Sequence, residues 1–253
     1  MNRDEPPPEQ VLYQDEELVP GGTTRLSGSE ADHAKRSLRL RTGDPVHLVN
    51  GRGRRYQGRI LDLGKQFVDV AVESEEALPA WPRAALWLGA GVLRSTRMDT
   101  LVEKASELGV SRFVPLVLER SVAKPGGEGS KEDRWHRLAI ESLKQSRRAK
   151  LMEVDLPQSL DAFLNALPPG SELWAADPEG ENPLRVAGGS PGPLALVVGP
   201  EGGLSPRERG TLLERKARLI ALGRNRLRAE TAAIALVTAA IVLREDLSPT
   251  GRG

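Results

Sequence analysis

The feature that most constrains this chain is the run LALVVGPEGGLSPRE at 194–208. Five apolar residues lead into Gly199, a turn with three glycines in five positions follows, and Ser205-Pro206-Arg207-Glu208 opens a helix. Ser205 is placed as an N-cap, Pro206 sits at the first helical position, and Glu208 completes a capping box three residues after the serine. A short apolar run without polar alternation reads as a strand covered on both faces, the pattern of a parallel sheet flanked by helices. The same pattern starts at Ala84 with ALWLGAGVL, after which Met98, Leu101, Val102, Ala105 and Leu108 recur at helical spacing until Gly109. FVPLVLE (113–119), an amphipathic helix over 133–146, a short strand near Met152, a helix around 160–167, ELWAAD (172–177), ARLIALG (217–223) and an Ala-rich helix over about 228–244 complete the series. These elements predict an α/β domain with a mostly parallel sheet over 84–246.

The residues before it follow a different grammar. VHLVNG (46–51), YQGRILDL (56–63) and FVDVAVE (67–73) are short alternating runs separated by Asn50-Gly51 and Gly64-Lys65, which predicts strands and hairpins. A small β-rich domain is therefore expected over 11–74, with 75–83 (EEALPAWPR) as a proline-bearing linker, disordered tails at 1–10 and 247–253, and mobile Gly- and Pro-rich loops at 124–130 and 187–193. No apolar window is long enough for a membrane helix and the first ten residues are acidic and proline-rich, so a cytoplasmic protein is expected.

Charge is unevenly distributed. The net +1 arises from 36 basic and 35 acidic side chains, yet 33–59 holds Lys35, Arg36, Arg39, Arg41, Arg52, Arg54, Arg55 and Arg59 against Asp44 alone. Such a run fits a phosphate-binding surface and equally fits a solvated face. Lys144, Arg147, Arg148 and Lys150 form a second basic cluster at a helix end, where they also suit the helix dipole.

Two glycine-bearing turns follow strands: 199–203 and the opening of LGRNRLRAETA (222–232). Strands adjacent in sequence are expected to bring these loops together as one crevice with Glu201, Arg224, Arg226, Arg228 and Glu230 at its rim. Gly89-Ala90-Gly91 begins like a dinucleotide-binding turn, but Arg94 stands where the third glycine is needed. His33, His47 and His136 lack ligand spacing, so no metal site is expected.

Together LVVGPEGGLSPRE and LGRNRLRAETA resemble the SPOUT methyltransferases, specifically the ribosomal RNA small subunit methyltransferase E family. DHAKRSLRLRTGD (32–44) with LVNGRGRRYQGRI (48–60) resembles that family's PUA-like RNA-binding domain, and Lys104 with ELGV (107–110) and Gln145 with Arg148 resemble its central signatures. The likeness covers about 11–245. It implies a trefoil-knotted SPOUT domain, a homodimer, S-adenosylmethionine as methyl donor, and N3-methylation of one uridine in 16S ribosomal RNA, free or within the small subunit. By the same resemblance Val198, Gly199, Pro200, Gly203, Leu222, Gly223, Leu227, Glu230 and Thr231 hold the cofactor. His33, Lys35, Arg36, Arg39, Arg54, Arg94, Arg97, Lys104, Gln145 and Arg148 face the RNA.

The absence of cysteine then bears on the acceptor atom. Methylation at C5 of a pyrimidine normally uses a thiolate that adds to C6, so a ring nitrogen or a ribose oxygen remains. Uridine N3 must lose its proton, which calls for a base or an anion-stabilising cation near the methyl group. Arg228 is the first choice for the cation. Glu201 is a candidate base, and a carboxylate beside a helix N-terminus is also an ordinary dipole partner. A non-catalytic RNA-binding or ribosome-assembly protein, and a methyltransferase for another base or a ribose hydroxyl, are the alternatives.

Overall fold

The computed structural model describes residues 10–78, 82, 84–121, 130–186 and 192–244. The tails and the two loops read as mobile lie wholly or largely outside these residues. The chain divides into two compact units, Met1–Ala80 with Leu143–Leu151, and Trp81–Ser142 with Met152–Gly253.

The first unit is a five-stranded sheet of β1 (Val11–Tyr13), β2 (Thr23–Ser27), β3 (Pro45–Val49), β4 (Arg54–Leu63) and β5 (Phe67–Ala77), in the order β1-β3-β4-β5-β2. Only β1 and β3 run parallel; the other pairs are antiparallel. Alternation decides which face is covered: Tyr56 and Ile60 of β4 and Val68, Val70 and Val72 of β5 point into one core with Leu12, Leu26 and Leu48. Helix α1 (Gly28–Asp32) and a π-helical turn at His33–Ser37 add Ala31 and Ala34 to that core. The segment Leu143–Leu151 belongs to this unit and is tied to it by the amide of Gly53, which donates to Ala149, and that of Leu151, which donates to Gly51, both at 2.9 Å. Strand β5 continues through Ala77, into the stretch read as linker.

The second unit is a six-stranded sheet in the order β11-β9-β10-β6-β7-β8, all neighbours parallel. Its strands are β6 (Leu86–Gly91), β7 (Arg112–Leu116), β8 (Glu153–Val154), β9 (Glu172–Glu181), β10 (Leu194–Val198) and β11 (Arg218–Ile220). The helices are α2 (Ser95–Glu107), α3 (Ser130–Gln145), whose last turn falls in the first unit, α4 (Leu160–Ala166), α5 (Pro206–Glu214) and α6 (Ala229–Arg244). Every residue of β10 is buried, as expected for a strand with parallel partners and helices on both faces. Helix α2 ends as the sequence indicates: Gly109 has φ +94° and the Val110 amide reaches back to the carbonyl of Ala105. Gly89 and Gly91, read as opening a glycine-rich turn, instead lie inside β6, paired with β7. A Cβ at Gly89 would lie 2.9 Å from Leu116, so close side-chain packing accounts for the glycine. No described helix is long and apolar enough to cross a membrane.

Candidate functional site

Both loops singled out in the sequence lie at the carboxyl edge of the second unit's sheet, one after β10 and one after β11. Strands β10 and β11, read as neighbours from their succession in the chain, are separated by β9. The loops still meet, because Arg226 spans the gap and its Nη2 donates to the carbonyl of Glu201 at 3.3 Å.

The first loop is held from outside. Ser205 Oγ accepts from the Glu208 amide at 3.2 Å while Glu208 Oε2 accepts from the Ser205 amide at 2.8 Å, the capping box expected from the sequence. The buried Glu208 uses its other oxygen on the Glu119 amide at 2.8 Å. Arg120 Nη1 donates to the carbonyls of Gly202 and Leu204 at 3.0 and 3.1 Å. With these ties the backbone folds back so tightly that a Cβ at Gly199 would lie 2.7 Å from the carbonyl carbon of Gly203. Val198, Gly199 and Pro200 are buried, and Gly203 is half-buried.

The second loop is open where the first is braced. Gly223 has φ +140°, a conformation closed to other residues without strain. Among the described residues, the amides of 222–227 find no backbone acceptor, so they are available to a ligand. Leu222 and Leu227 are half-buried. The carbonyl of Arg228 accepts the first helical bond of α6 from Ala232 at 2.8 Å, which makes Arg228 the residue entering the helix with its side chain exposed. Glu230 follows in the first turn, and Thr231 beside it is exposed.

A third element, α2, completes the arrangement. Arg97 Nη1 lies 3.1 Å from Glu201 Oε1, and its Nε lies 3.7 Å from Glu230 Oε1. Glu201 is therefore ion-paired, while Glu230 Oε2 is buried with no hydrogen-bond partner. Residues from three separate stretches of sequence thus share one cluster. Spacing offers no sign of it, because Arg97 and Glu201 are 104 residues apart.

The residues assigned to RNA divide in the structure. Arg36 and Arg39 are exposed, with Arg39 at φ +54° and Arg36 in a loose 3.7 Å contact with Asp32. His33 is half-buried in the π-helical turn. Lys35 donates to the carbonyls of Gly64 and Lys65 at 3.2 and 2.8 Å, anchoring the β4–β5 turn. Arg54 pairs across the strands with Glu75 at 2.6 Å, as Arg55 does with Glu76 and Arg59 with Glu73. Much of the positive run at 33–59 is thus balanced by acids of β5 that lie outside it in sequence. Arg94 is exposed at the entry of α2, and Lys104 bridges Glu103 and Glu107 at 2.8 Å each, contacts that hold its ammonium pKa above the usual lysine value. Gln145 is exposed; burial pushes the Arg148 guanidinium down to about 10, so it remains cationic at neutral pH.

Known proteins are similar over both units. A family model described as an RNA methyltransferase domain matches 80–241, and one described as an RNA methyltransferase PUA domain matches 26–73. The chain is 39% identical over 143 residues to the ribosomal RNA small subunit methyltransferase E of Aquifex aeolicus, a stretch covering 56% of this chain and 61% of that relative. It is 28% identical to the protein of that name from Mycobacterium bovis over 92% of this chain and 91% of the relative. A Legionella pneumophila methyltransferase solved with bound cofactor SAM superposes with a TM-score of 0.82 at 28% identity, covering 91% of this chain and 96% of that one. With a parallel-sheet unit whose loops converge on Arg97 and a β-rich unit ahead of it, the chain belongs to the RNA methyltransferase family, and carries both that family's methyltransferase domain and its PUA domain.

Proposed function

We propose that the protein transfers a methyl group from S-adenosylmethionine to N3 of one uridine in 16S ribosomal RNA. The observation that carries this reading is the pairing of an open backbone loop at 222–227 with a braced, glycine-lined loop at 199–204, with the unpartnered Glu230 Oε2 in the cluster that joins them. These groups fit such a donor: open amides suit its adenine nitrogens and carboxylate, a carboxylate oxygen suits its cationic or N–H groups, and glycine lets the backbone approach closely. The names of the Aquifex and Mycobacterium relatives and the bound cofactor of the Legionella protein support it. Val198, Gly199, Pro200, Gly203, Leu222, Gly223, Leu227, Glu230 and Thr231 hold the donor in this reading.

When bound, the donor supplies an electrophilic methyl group. Arg228 steadies the negative charge that uracil acquires as N3 loses its proton. Glu201, already paired with Arg97, braces the site and leaves the proton to solvent. The target base leaves its stack to reach the cleft. Arg36, Arg39, Arg94, Gln145 and Arg148 contact RNA, and Lys35, Arg54 and Lys104 support the surfaces around them. The protein acts in the cytoplasm as a homodimer. Helix α6 supports the dimer, since no charged residue stands between Glu230 and Arg244 and its outer face presents Thr238 and a 55% exposed Val242.

The decisive experiment incubates the purified protein with S-adenosylmethionine and small-subunit RNA from a strain lacking the modification, then digests the RNA for nucleoside mass spectrometry. One N3-methyluridine per RNA is expected. Methyl transfer to a ribose or to another base would overturn the choice of acceptor, and no transfer to either RNA or subunits would overturn the activity.

A further inference from the structure

Arg97, Glu201 and Glu230 come from α2, the 199–204 loop and α6, and one guanidinium serves both carboxylates. Glu230 is the most shielded of the three, its side chain 13% exposed against 29% for Glu201 and 35% for Arg97. One of its oxygens faces Arg97 and the other, Oε2, is buried without a donor. A buried carboxylate oxygen without a donor is costly, and a bound ligand is one source of that donor.

Resting on the cofactor reading above, we propose that Glu230 selects the charged methyl donor over the spent product, and that Arg97 is the positioning residue that fixes this carboxylate. The donor carries a sulfonium, an ammonium and a carboxylate, for a net charge of +1. Loss of the methyl group leaves a neutral thioether and a net charge of zero. A shielded carboxylate at Glu230 attracts the first more than the second, because little water reaches it to cancel the difference. Arg97 forms a long ion pair with Oε1 at 3.7 Å, which leaves Oε2 as the acceptor, and its hydrogen bond to Glu201 at 3.1 Å ties the 199–204 loop to α2 beside the start of α6. A guanidinium suits this task because its nitrogens address two carboxylates at once from a planar fork.

The test is calorimetric titration of the full-length protein with S-adenosylmethionine and, separately, S-adenosylhomocysteine, which differ by the methyl group and the sulfonium charge. Glu230→Gln keeps the shape and removes the charge; it is expected to weaken the donor about tenfold and the product by less than about twofold. Arg97→Ala should shift the ratio the same way, and Arg97→Lys should restore part of it. Thermal melts of the ligand-free variants check folding, and the isosteric Glu230→Gln remains decisive should Arg97→Ala not fold. Equal losses for both ligands, or none, would overturn the proposal while leaving the cofactor reading intact. Failure of the unmodified protein to bind either ligand would overturn both.

Discussion

Lys144 and Glu30 form a shielded ion pair within the first unit, with Nζ 2.5 Å from Oε1 and the two side chains only 5% and 14% exposed. The other carboxylate oxygen accepts the Tyr13 amide at 2.9 Å, so Glu30 fixes both strand β1 and the end of α3. Removing one partner of a buried pair leaves an uncompensated charge, which costs about 3–5 kcal/mol. Glu30→Ala is expected to lower the stability of the protein by that order in urea unfolding. Replacing both residues by methionine should recover most of the loss; a double variant no more stable than the single one would show that the loss does not come from the uncompensated charge of Lys144.

Tyr13 gives a pH dependence of definite sign. Burial, and then the neighbouring Asp15 whose Oδ1 accepts its hydroxyl at 3.2 Å, push the phenol from 10.0 up to about 12. The folded state therefore holds this proton more tightly than the unfolded chain. Its contribution to stability is complete below pH 10 and is lost as pH rises toward 12. Ultraviolet titration should show a tyrosine ionising near that upper value, and Tyr13→Phe should abolish the step and flatten stability against pH over the same window.

Arg228 enters α6 with an exposed side chain, positioned by its own carbonyl's bond to Ala232. Because that bond is main-chain, Arg228→Ala should leave the loop and the cofactor affinity close to unchanged. The rate of methyl transfer should fall about 10²- to 10³-fold, the usual cost of removing one charge-stabilising donor. Single-turnover assays with saturating donor separate the two quantities.

The basic surface offers a paired comparison. Arg36 and Arg39 stand outside the cross-strand pairing, whereas Arg54 and Arg59 are matched by Glu75 and Glu73. Reversing Arg36 and Arg39 to glutamate is expected to weaken RNA binding and lower the slope of log affinity against log salt by about 2. Neutralising Arg54 and Arg59 to glutamine should change that slope by less than half as much. Filter binding at several salt concentrations checks both.

What the sequence revealed and what it hid follow from the range of the interactions. The strand–turn–helix at 194–208 was legible because its capping box closes over three residues, and the end of α2 was legible because Gly109 marks it locally. Strand β1 is three residues long, too short for periodicity to mark. Pairing of Arg54, Arg55 and Arg59 with β5 depends on register, which charge counted along the chain ignores. The resemblance assigns Arg97 to the RNA side and gives no sign of its contact with Glu201 and Glu230, which only the fold brings to it. The order of β11, β9 and β10 was equally hidden, since succession along the chain does not reveal which strand inserts between two others.

That inserted strand works as a spacer. With neighbouring strands about 4.8 Å apart, β9 sets the exits of β10 and β11 roughly 10 Å from each other. The gap is bridged by side chains, Arg226 reaching the Glu201 carbonyl, while the two backbones stay apart. A molecule with two recognisable ends joined in the middle, such as a nucleoside linked to an amino acid, is long enough to engage the backbone of both.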